Sequence, residues 1–314
     1  MQVLFIFLDG IGLGGNDPQV NPLARADMPH LKKLLDGRAL VKDSAPFDGE
    51  FATLLAVDPS VGVEGLPQSA TGQAILLTGR NIPRELGYHY GPKPNPEVAA
   101  YLNGDTLFSR CVEAGKKAAL LNAYPPRYFH GIDSGKRLYS SIPLAVTKAG
   151  LPLFTEKDFY EGRALSADFT GEGWRTMLGF PDAPVMTPHE AGRKLVSLAA
   201  EYDFSLFEYW ASDYAGHKQD MDTAVKLMEA FDGVLGGVVE EMQAEGQRSK
   251  GEDEWLVLVT SDHGNMEDVS TRKHTAAPVP ALVIGSKPAR EEFTRGIRDL
   301  THIAPAIWRA VGRG

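Results

Sequence analysis

The chain has 314 residues, 43% hydrophobic and 23% charged, with a formal net charge of −9 and a pI near 5.4. That is ample length for a buried core, and the acidic balance excludes a general nucleic-acid-binding surface, which needs a basic face. One cysteine, Cys111, excludes an internal disulfide framework and a Cys-rich zinc site and fits a reducing cytoplasm, while no apolar run approaches the roughly 20 residues of a membrane span.

Residues 3–8, VLFIFL, form a continuous apolar run that stops at Asp9-Gly10, as a strand buried on both faces does. The run has no basic start and no small-residue cleavage site, so it reads as a core strand and not as a signal peptide. MPHLKKLLDG reads as a short helix ended by Gly37. After a loop-rich stretch, SATGQAILLTG reads as a helix from about Ser69 to Gly79. TLFSRCVEAGKKAALLNAY reads as a helix, a stop at Gly115 and another buried strand. From about Pro125 to Met186, Pro, Gly and charged residues interleave without a long periodic segment. We assign 126–186 to an inserted cap or substrate region, carried by a discontinuous α/β core of residues 1–125 and 187–314. Regularity returns with Thr187 as N-cap, Pro188 at the first helical position and Glu190 completing a capping box. The strand DFSLFEYW follows, then a loop, then a long helix around DTAVKLMEAFDGVLGGVVEEMQAE. EWLVLVTSD and PALVIG read as strands, and THIAPAIWRAVG as a terminal helix. Alternation of strands and helices implies an α/β fold with a mostly parallel sheet.

The chemically informative residues sit just past strand ends. Asp9 follows VLFIFL, Asp213 and His217 follow DFSLFEYW, and Asp262 and His263 follow EWLVLVT. His274 lies on the loop before the next strand. In an open α/β sheet that edge is where ligands bind. Each residue alone has an ordinary explanation: Asp-Gly after a strand is a common turn, and DYAGH could be a loop hydrogen bond. Adjacent Asp and His at a strand end have little packing use, and the joint occurrence points to a site. Aspartate with histidine suits Zn or Mn, and clustered carboxylates would repel one another without a cation. Six ligands exceed the need of one open catalytic metal and suit two that share a substrate oxygen. The acidic charge is no obstacle to a small phosphorylated metabolite, because bound ions supply positive charge locally.

Ser69 opens the helix after a loop. It can cap that helix, or it can be a nucleophile beside a helix N-terminus that favours phosphate. Thr71 is the competing nucleophile. The run DGIGLGG also contains Gly10-x-Gly12-x-x-Gly15, a dinucleotide fingerprint, but Asn16-Asp17-Pro18 stands where a helix must begin. The glycines read better as a close turn around Asp9.

The motifs LDGIGLG, QSATGQAILLTGRN, DYAGHKQD and SDHGNMED…KHTAAPVP resemble those of the alkaline phosphatase superfamily. The resemblance is to the branch that includes cofactor-independent phosphoglycerate mutase and phosphopentomutase, and it covers about 1–125 and 187–314. It implies a three-layer sandwich around a mostly parallel sheet. It also implies two metal ions, one on Asp9, Asp262 and His263 with the nucleophile, the other on Asp213, His217 and His274. Ser69 matches the Ser or Thr that becomes phosphorylated, three residues before a Gly, here Gly72. The activity implied is phosphomutase-like transfer, with a phosphatase or phosphodiesterase as the alternative and a non-catalytic metal-binding protein as a further one. Two features depart from the mutases: Gln73 stands where they commonly carry His, and the cap is short, without a clear arginine set. Arg127, Arg163 and Arg175 are the cap cations available for a phosphate or carboxylate.

Overall fold

The computed structural model describes residues 1–248 and 254–312. Its strands are β1 (Gln2–Leu8), β2 (Phe47–Asp48), β3 (Ala52–Val57), β4 (Ala118–Leu120), β5 (Ala123–Tyr124), β6 (Phe154–Thr155), β7 (Phe204–Tyr209), β8 (Trp255–Thr260) and β9 (Val279–Gly285). One seven-stranded sheet runs β2-β3-β9-β8-β1-β7-β4, and β5 pairs separately with β6. The pairings β4 to β7, β7 to β1 and β1 to β8 are parallel, as the apolar strands lead one to expect. The other half of the sheet is antiparallel: β9 returns against β8, β3 against β9 and β2 against β3. β3 falls in the stretch read from sequence as loop-rich.

β1 explains the layering. Successive strand side chains point to opposite faces. Val3, Phe5 and Phe7 enter a core with Ala70, Ala74 and Leu77 of the Ser69–Thr78 helix and with Ile303 and Ile307 of the Ile303–Val311 helix. Leu4, Ile6 and Leu8 enter a second core with Leu195 and Val196 of the Pro188–Ala199 helix and with Met228 and Phe231 of the Met221–Arg248 helix. Helices therefore cover both faces of the sheet, which is the expected three-layer α/β sandwich. Each fully buried side chain of this kind contributes about 1.5–3 kcal/mol.

Local signals behave as their chemistry requires. Thr187 accepts from the Glu190 amide while the Glu190 carboxylate accepts from the Thr187 amide at 2.8 Å, closing the capping box. Gly79 ends its helix in the left-handed region at φ 76°.

Residues 126–186 divide among three environments, with Leu165 and Phe169 in the second core. Tyr128, Ile142, Val146 and Leu153 join the first core, and Ser141 Oγ donates to the Ala70 carbonyl at 3.1 Å. Phe159, Ala164, Trp174 and Ala183 make a small separate core with Ala123 of β5.

Candidate active site

The sheet register brings three strand ends together. Leu8 pairs with Tyr209 and Phe7 with Thr260, so the chain leaves β1, β7 and β8 at one edge. Asp9 is anchored there by its amide on the Tyr209 carbonyl at 2.9 Å, and Ser212 Oγ donates to the Asp9 carbonyl at 2.6 Å. Asp213 and His217 stand on a helix, Ala211–Lys218, where the sequence suggested a loop. The helix puts residues four apart on one face, which is how both reach the same point. ASDYAGHK lacks an apolar period, so nothing in its pattern announces a helix.

Two groups of ligand-capable atoms result. Asp213, His217 and His274 offer atoms all within 4.8 Å of one another, and so do Asp9, Asp213 and His263. Asp213 thus borders both groups. Asp262 stands beside the second, its Oδ2 3.6 Å from His263 Nε2, while Asp9 Oδ1 lies 3.4 Å from that nitrogen. The structure gathers all six Asp and His residues singled out from the sequence.

The imidazoles share one arrangement. His217 Nδ1 bonds the Arg272 carbonyl at 2.7 Å, His274 Nδ1 the Pro67 carbonyl at 2.8 Å and His263 Nδ1 the Gly264 carbonyl at 3.3 Å. A carbonyl accepts only, so each Nδ1 carries its proton and each Nε2 presents a lone pair inward. Asp9 Oδ1 is buried and receives no hydrogen bond. Among the described residues, no Lys or Arg pairs with Asp9, Asp213 or Asp262. Inward lone pairs, an orphaned carboxylate oxygen and clustered acids together fit divalent cations.

The electrostatics agree. Asp9 is held well above the usual carboxylate range, first by burial and then by the charges of Asp262, Asp213 and Glu208. Asp262 is raised by burial and by Asp213. Burial pushes His263 far down, with His274 and His217 adding to the effect, and burial lowers His274 as well. Without a cation the acids resist ionising together, whereas burial favours the neutral form of His263 and His274, the state a metal requires.

Ser69 is the first residue of its helix, and Gln68 takes the N-cap position without a side-chain cap bond. This corrects the capping reading of Ser69. Its Oγ instead lies 3.0 Å from His263 Nε2, inside the site. Thr71 is occupied elsewhere: its Oγ1 donates to the Gln68 carbonyl at 3.2 Å and accepts from the Tyr90 amide at 3.2 Å. Gln73 Nε2 reaches both Asp9 Oδ2 and Asp262 Oδ2 at 3.4 Å, as a neutral donor to the acids.

Glycines let these parts approach. A Cβ on Gly10, at φ +69°, would meet Asp213 Oδ1 at 2.6 Å, and one on Gly72 would meet Asp262 Cβ at 2.8 Å. The first places β1's exit against the Asp213 helix, and the second places the Ser69 helix against Asp262. The next helix after Gly15 begins only at Pro22 and has four residues, in keeping with the rejection of the dinucleotide reading.

Sequence reasoning missed the supports. Glu267, 3% exposed, accepts from the Gly12 amide at 2.9 Å, from the Asn265 amide at 2.7 Å and from Thr275 Oγ1. Asn265 Nδ2 donates to Asp213 Oδ1 at 2.7 Å. Both follow SDHG in the sequence, which was the available signal. The cap arginines are not brought to the ligands. Arg163 pairs with Asp158 at 2.6 Å and with Glu161, Arg175 Nε donates to the Ala183 carbonyl at 2.6 Å, and Arg127 is exposed.

Comparison with known proteins follows the same lines. The description "Metalloenzyme superfamily" matches residues 177–312. The 2,3-bisphosphoglycerate-independent phosphoglycerate mutase of Desulforudis audaxviator is 33% identical over 135 residues, 41% of this chain and 25% of that one. The corresponding mutase of Thiobacillus denitrificans is 31% identical over 169 residues, 49% of this chain and 31% of that one. The matches therefore span a third or less of the curated relatives' length. Among solved structures, the PH0037 protein of Pyrococcus horikoshii superposes with a TM-score of 0.55 at 14% identity, covering 100% of this chain and 97% of that one. Alkaline phosphatase from the Antarctic bacterium TAB5 gives 0.54 at 13%, covering 99% and 97%. Residues 177–312 thus match the metalloenzyme superfamily, part of the chain is similar to phosphoglycerate mutases, and the whole chain has the fold of alkaline phosphatase.

Proposed function

We propose that the protein transfers phosphoryl groups on small phosphate esters through a phosphoserine at Ser69. The observation that carries this reading is Ser69 Oγ, 3.0 Å from His263 Nε2 at the head of a helix and next to the acidic cluster. Asp9, Asp262 and His263, together with Ser69, would hold one divalent cation, and Asp213, His217 and His274 the other. Two such ions, Mn or Zn, supply Lewis-acid neutralisation of the charge on the transferring group.

The chain's own residues do the rest. Glu267 and Asn265 hold the loops that carry the ligands, and the carbonyl bonds fix every imidazole tautomer. Ser69 Oγ attacks phosphorus, the ester oxygen leaves as an alcohol with the proton that Ser69 gives up, and a phosphoserine remains. In a phosphomutase-like cycle the group returns to another hydroxyl of the same substrate, held under residues 126–186, which we propose as the substrate region. Hydrolysis is the second reading, and it is supported by Arg163 being paired with Asp158 and Glu161 within that region, which offsets the charge that would retain a dephosphorylated intermediate.

The test is a panel of phosphosugars, phosphoglycerates and nucleotides with Mn- and Zn-loaded protein. Isomerised ester supports the mutase; free phosphate matching substrate loss supports the hydrolase. If Ser69→Ala left turnover and phosphoprotein formation unchanged, the phosphoserine mechanism would be wrong.

A further inference from the structure

Two buried carboxamides outside the proposed ligand set use their polar atoms in the same one-sided way. Gln73 is 3% exposed and Asn265 is 0% exposed. Each has two N–H donors at one end of its amide and an acceptor oxygen at the other. Gln73 Nε2 stands 3.4 Å from Asp9 Oδ2 and 3.4 Å from Asp262 Oδ2, so one amino group is shared by two acids. Asn265 Nδ2 donates to Asp213 Oδ1 at 2.7 Å. The acceptor ends are idle: Gln73 Oε1 and Asn265 Oδ1 are buried and receive no hydrogen bond from the described residues. Buried polar atoms are normally satisfied, so an amide that uses only its donor end is oriented by the acids in front of it. Turned over, each would set a carbonyl oxygen against a carboxylate.

The two amides divide between the two groups of ligands. Gln73 is four residues after Ser69 on one helix, so both lie on the same face. Ser69 Oγ reaches His263 while Gln73 reaches Asp9 and Asp262, so this face meets every side chain assigned to the ion beside Ser69. His263 Nε2 is 3.4 Å from Asp9 Oδ1 and 3.6 Å from Asp262 Oδ2. Atoms about 2.1 Å from a tetrahedral cation stand about 3.4 Å apart, so the acids and the imidazole are already spaced as ligands. Asn265 lies two residues after His263 but serves the other group, with its idle oxygen against the Asp213 helix: a Cβ on Gly216 would meet Asn265 Oδ1 at 2.6 Å. Carboxylates this close repel one another, and a donor facing them offsets the repulsion. A Lys or Arg would do so more strongly, but it would also cancel the negative charge that draws a divalent cation. An amide donates without adding charge.

We infer that Gln73 and Asn265 are neutral clamps, positioning residues that hold the carboxylates in their metal-binding orientation. Gln73 sets the affinity of the ion beside Ser69, and Asn265 sets that of the ion on Asp213, His217 and His274. The inference rests on the two-ion reading above and adds a separate control for each ion.

The experiment is calorimetric titration of the metal-free protein with Mn alone, beside thermal denaturation without metal. The wild-type protein is expected to bind two ions. Removing an outer hydrogen-bond partner of a ligand lowers metal affinity by roughly 10–100-fold. Gln73→Met, close in volume and without a donor, should weaken one of the two ions by that factor and leave the other unchanged. Asn265→Leu should weaken the other ion instead, and the combined variant should weaken both. Asn265→Ala takes its place if the leucine variant does not fold. A packing role would lower the melting temperature of the metal-free protein and weaken both ions alike. That result, loss at the same ion in both variants, or two ions bound with wild-type affinity overturns the inference and leaves the two-ion reading standing. If the wild-type protein binds no Mn, the two-ion reading and this inference fall together.

Discussion

His274 Nε2 stands 3.2 Å from His217 Nε2, and both rings have their Nδ1 protons committed to backbone carbonyls. Two lone pairs so placed repel unless a cation lies between them or one ring takes up a proton. Added Mn or Zn should therefore stabilise the protein, by about 2.7 kcal/mol at a hundredfold excess over Kd. Thermal denaturation with and without a chelator measures this. His217→Ala and His274→Ala should each lose most of the gain; an unchanged melting temperature on adding metal would reject the site.

Ser69 and Thr71 should separate cleanly. Ser69→Ala should abolish phosphoprotein formation and lower turnover by at least about a thousandfold, with folding intact. Thr71→Ala should keep the phosphoprotein but cost about 1–2 kcal/mol of stability, because its hydroxyl ties the helix to the Tyr90 segment. Urea denaturation beside a labelling assay distinguishes the two. Label on the Ser69→Ala variant would shift the nucleophile elsewhere.

Gly72→Ala probes the closeness of the Ser69 helix to the ligands. The new methyl would sit 2.8 Å from Asp262 Cβ and 2.9 Å from the Asp262 carbonyl oxygen, so helix or ligand must shift. A misplacement of about 1 Å can cost a hundredfold in rate. Turnover should fall by that order and metal affinity should weaken. Full activity would show that the two elements can part without consequence.

Glu208 gives the pH dependence. Its carboxyl is buried and pushed up to about 7 by desolvation. Between the usual carboxylate value and about 7, the folded state keeps a proton that the unfolded state has released, so rising pH favours unfolding. The metal-free protein should lose roughly 3 kcal/mol across that window from this group, with no change below it. Asp9 and Asp262, also raised, act in the same direction, while His263 and His274, lowered by burial, act in the opposite one below the ordinary imidazole value. Chemical denaturation from pH 4.5 to 8 tests the trend, and Glu208→Gln should flatten it. An unchanged pH dependence in Glu208→Gln would contradict the assignment.

Arg290 should matter for stability alone. It is fully buried, with Nη1 2.7 Å from Asp48 Oδ1 and Nη2 2.9 Å from the carbonyls of Gly49 and Glu50. Arg290→Ala should cost about 2–5 kcal/mol, through the cavity it leaves and the Gly49 and Glu50 carbonyls deprived of a donor, while the half-exposed Asp48 is rehydrated. Turnover per folded molecule should remain unchanged, since Arg290 ties the β2–β3 turn to the helix Lys287–Thr294 and has no bond to the ligand cluster.

What could be read from sequence was what burial on both faces writes into it. VLFIFL and WLVLV are unbroken apolar runs, FSLFEY is interrupted by Ser205 and Glu208 but buried throughout, and the Asp and His residues that follow the three strands form the candidate site. The helix under Asp213 and His217 could not be read, because its exposed face carries Trp210 and Tyr214 and interrupts any apolar period. Glu267 and Arg290 were invisible for another reason. A buried charge is made tolerable by partners far along the chain, Gly12 and Thr275 for one, Asp48 and Gly49 for the other. Arg163 was chosen for its charge, although Asp158, five residues before it, was in plain view as a local partner.

β1 carries one more consequence. A strand apolar on both sides has no side that belongs to water, so shifting it by one residue would still leave greasy side chains inside both layers. Burial alone is nearly indifferent to that slip, although the slip would turn every side chain over. What distinguishes the native alignment is the polar terminus, where Asp9 meets the Tyr209 carbonyl and the Gly10 carbonyl takes the Met266 amide at 2.9 Å. The turn that carries the candidate ligand Asp9 thus also acts, through its main-chain bonds, as the detent that stops the central strand in its slot. Because both bonds are made by the main chain, a neutral side chain at Asp9 would keep this alignment while losing the carboxylate.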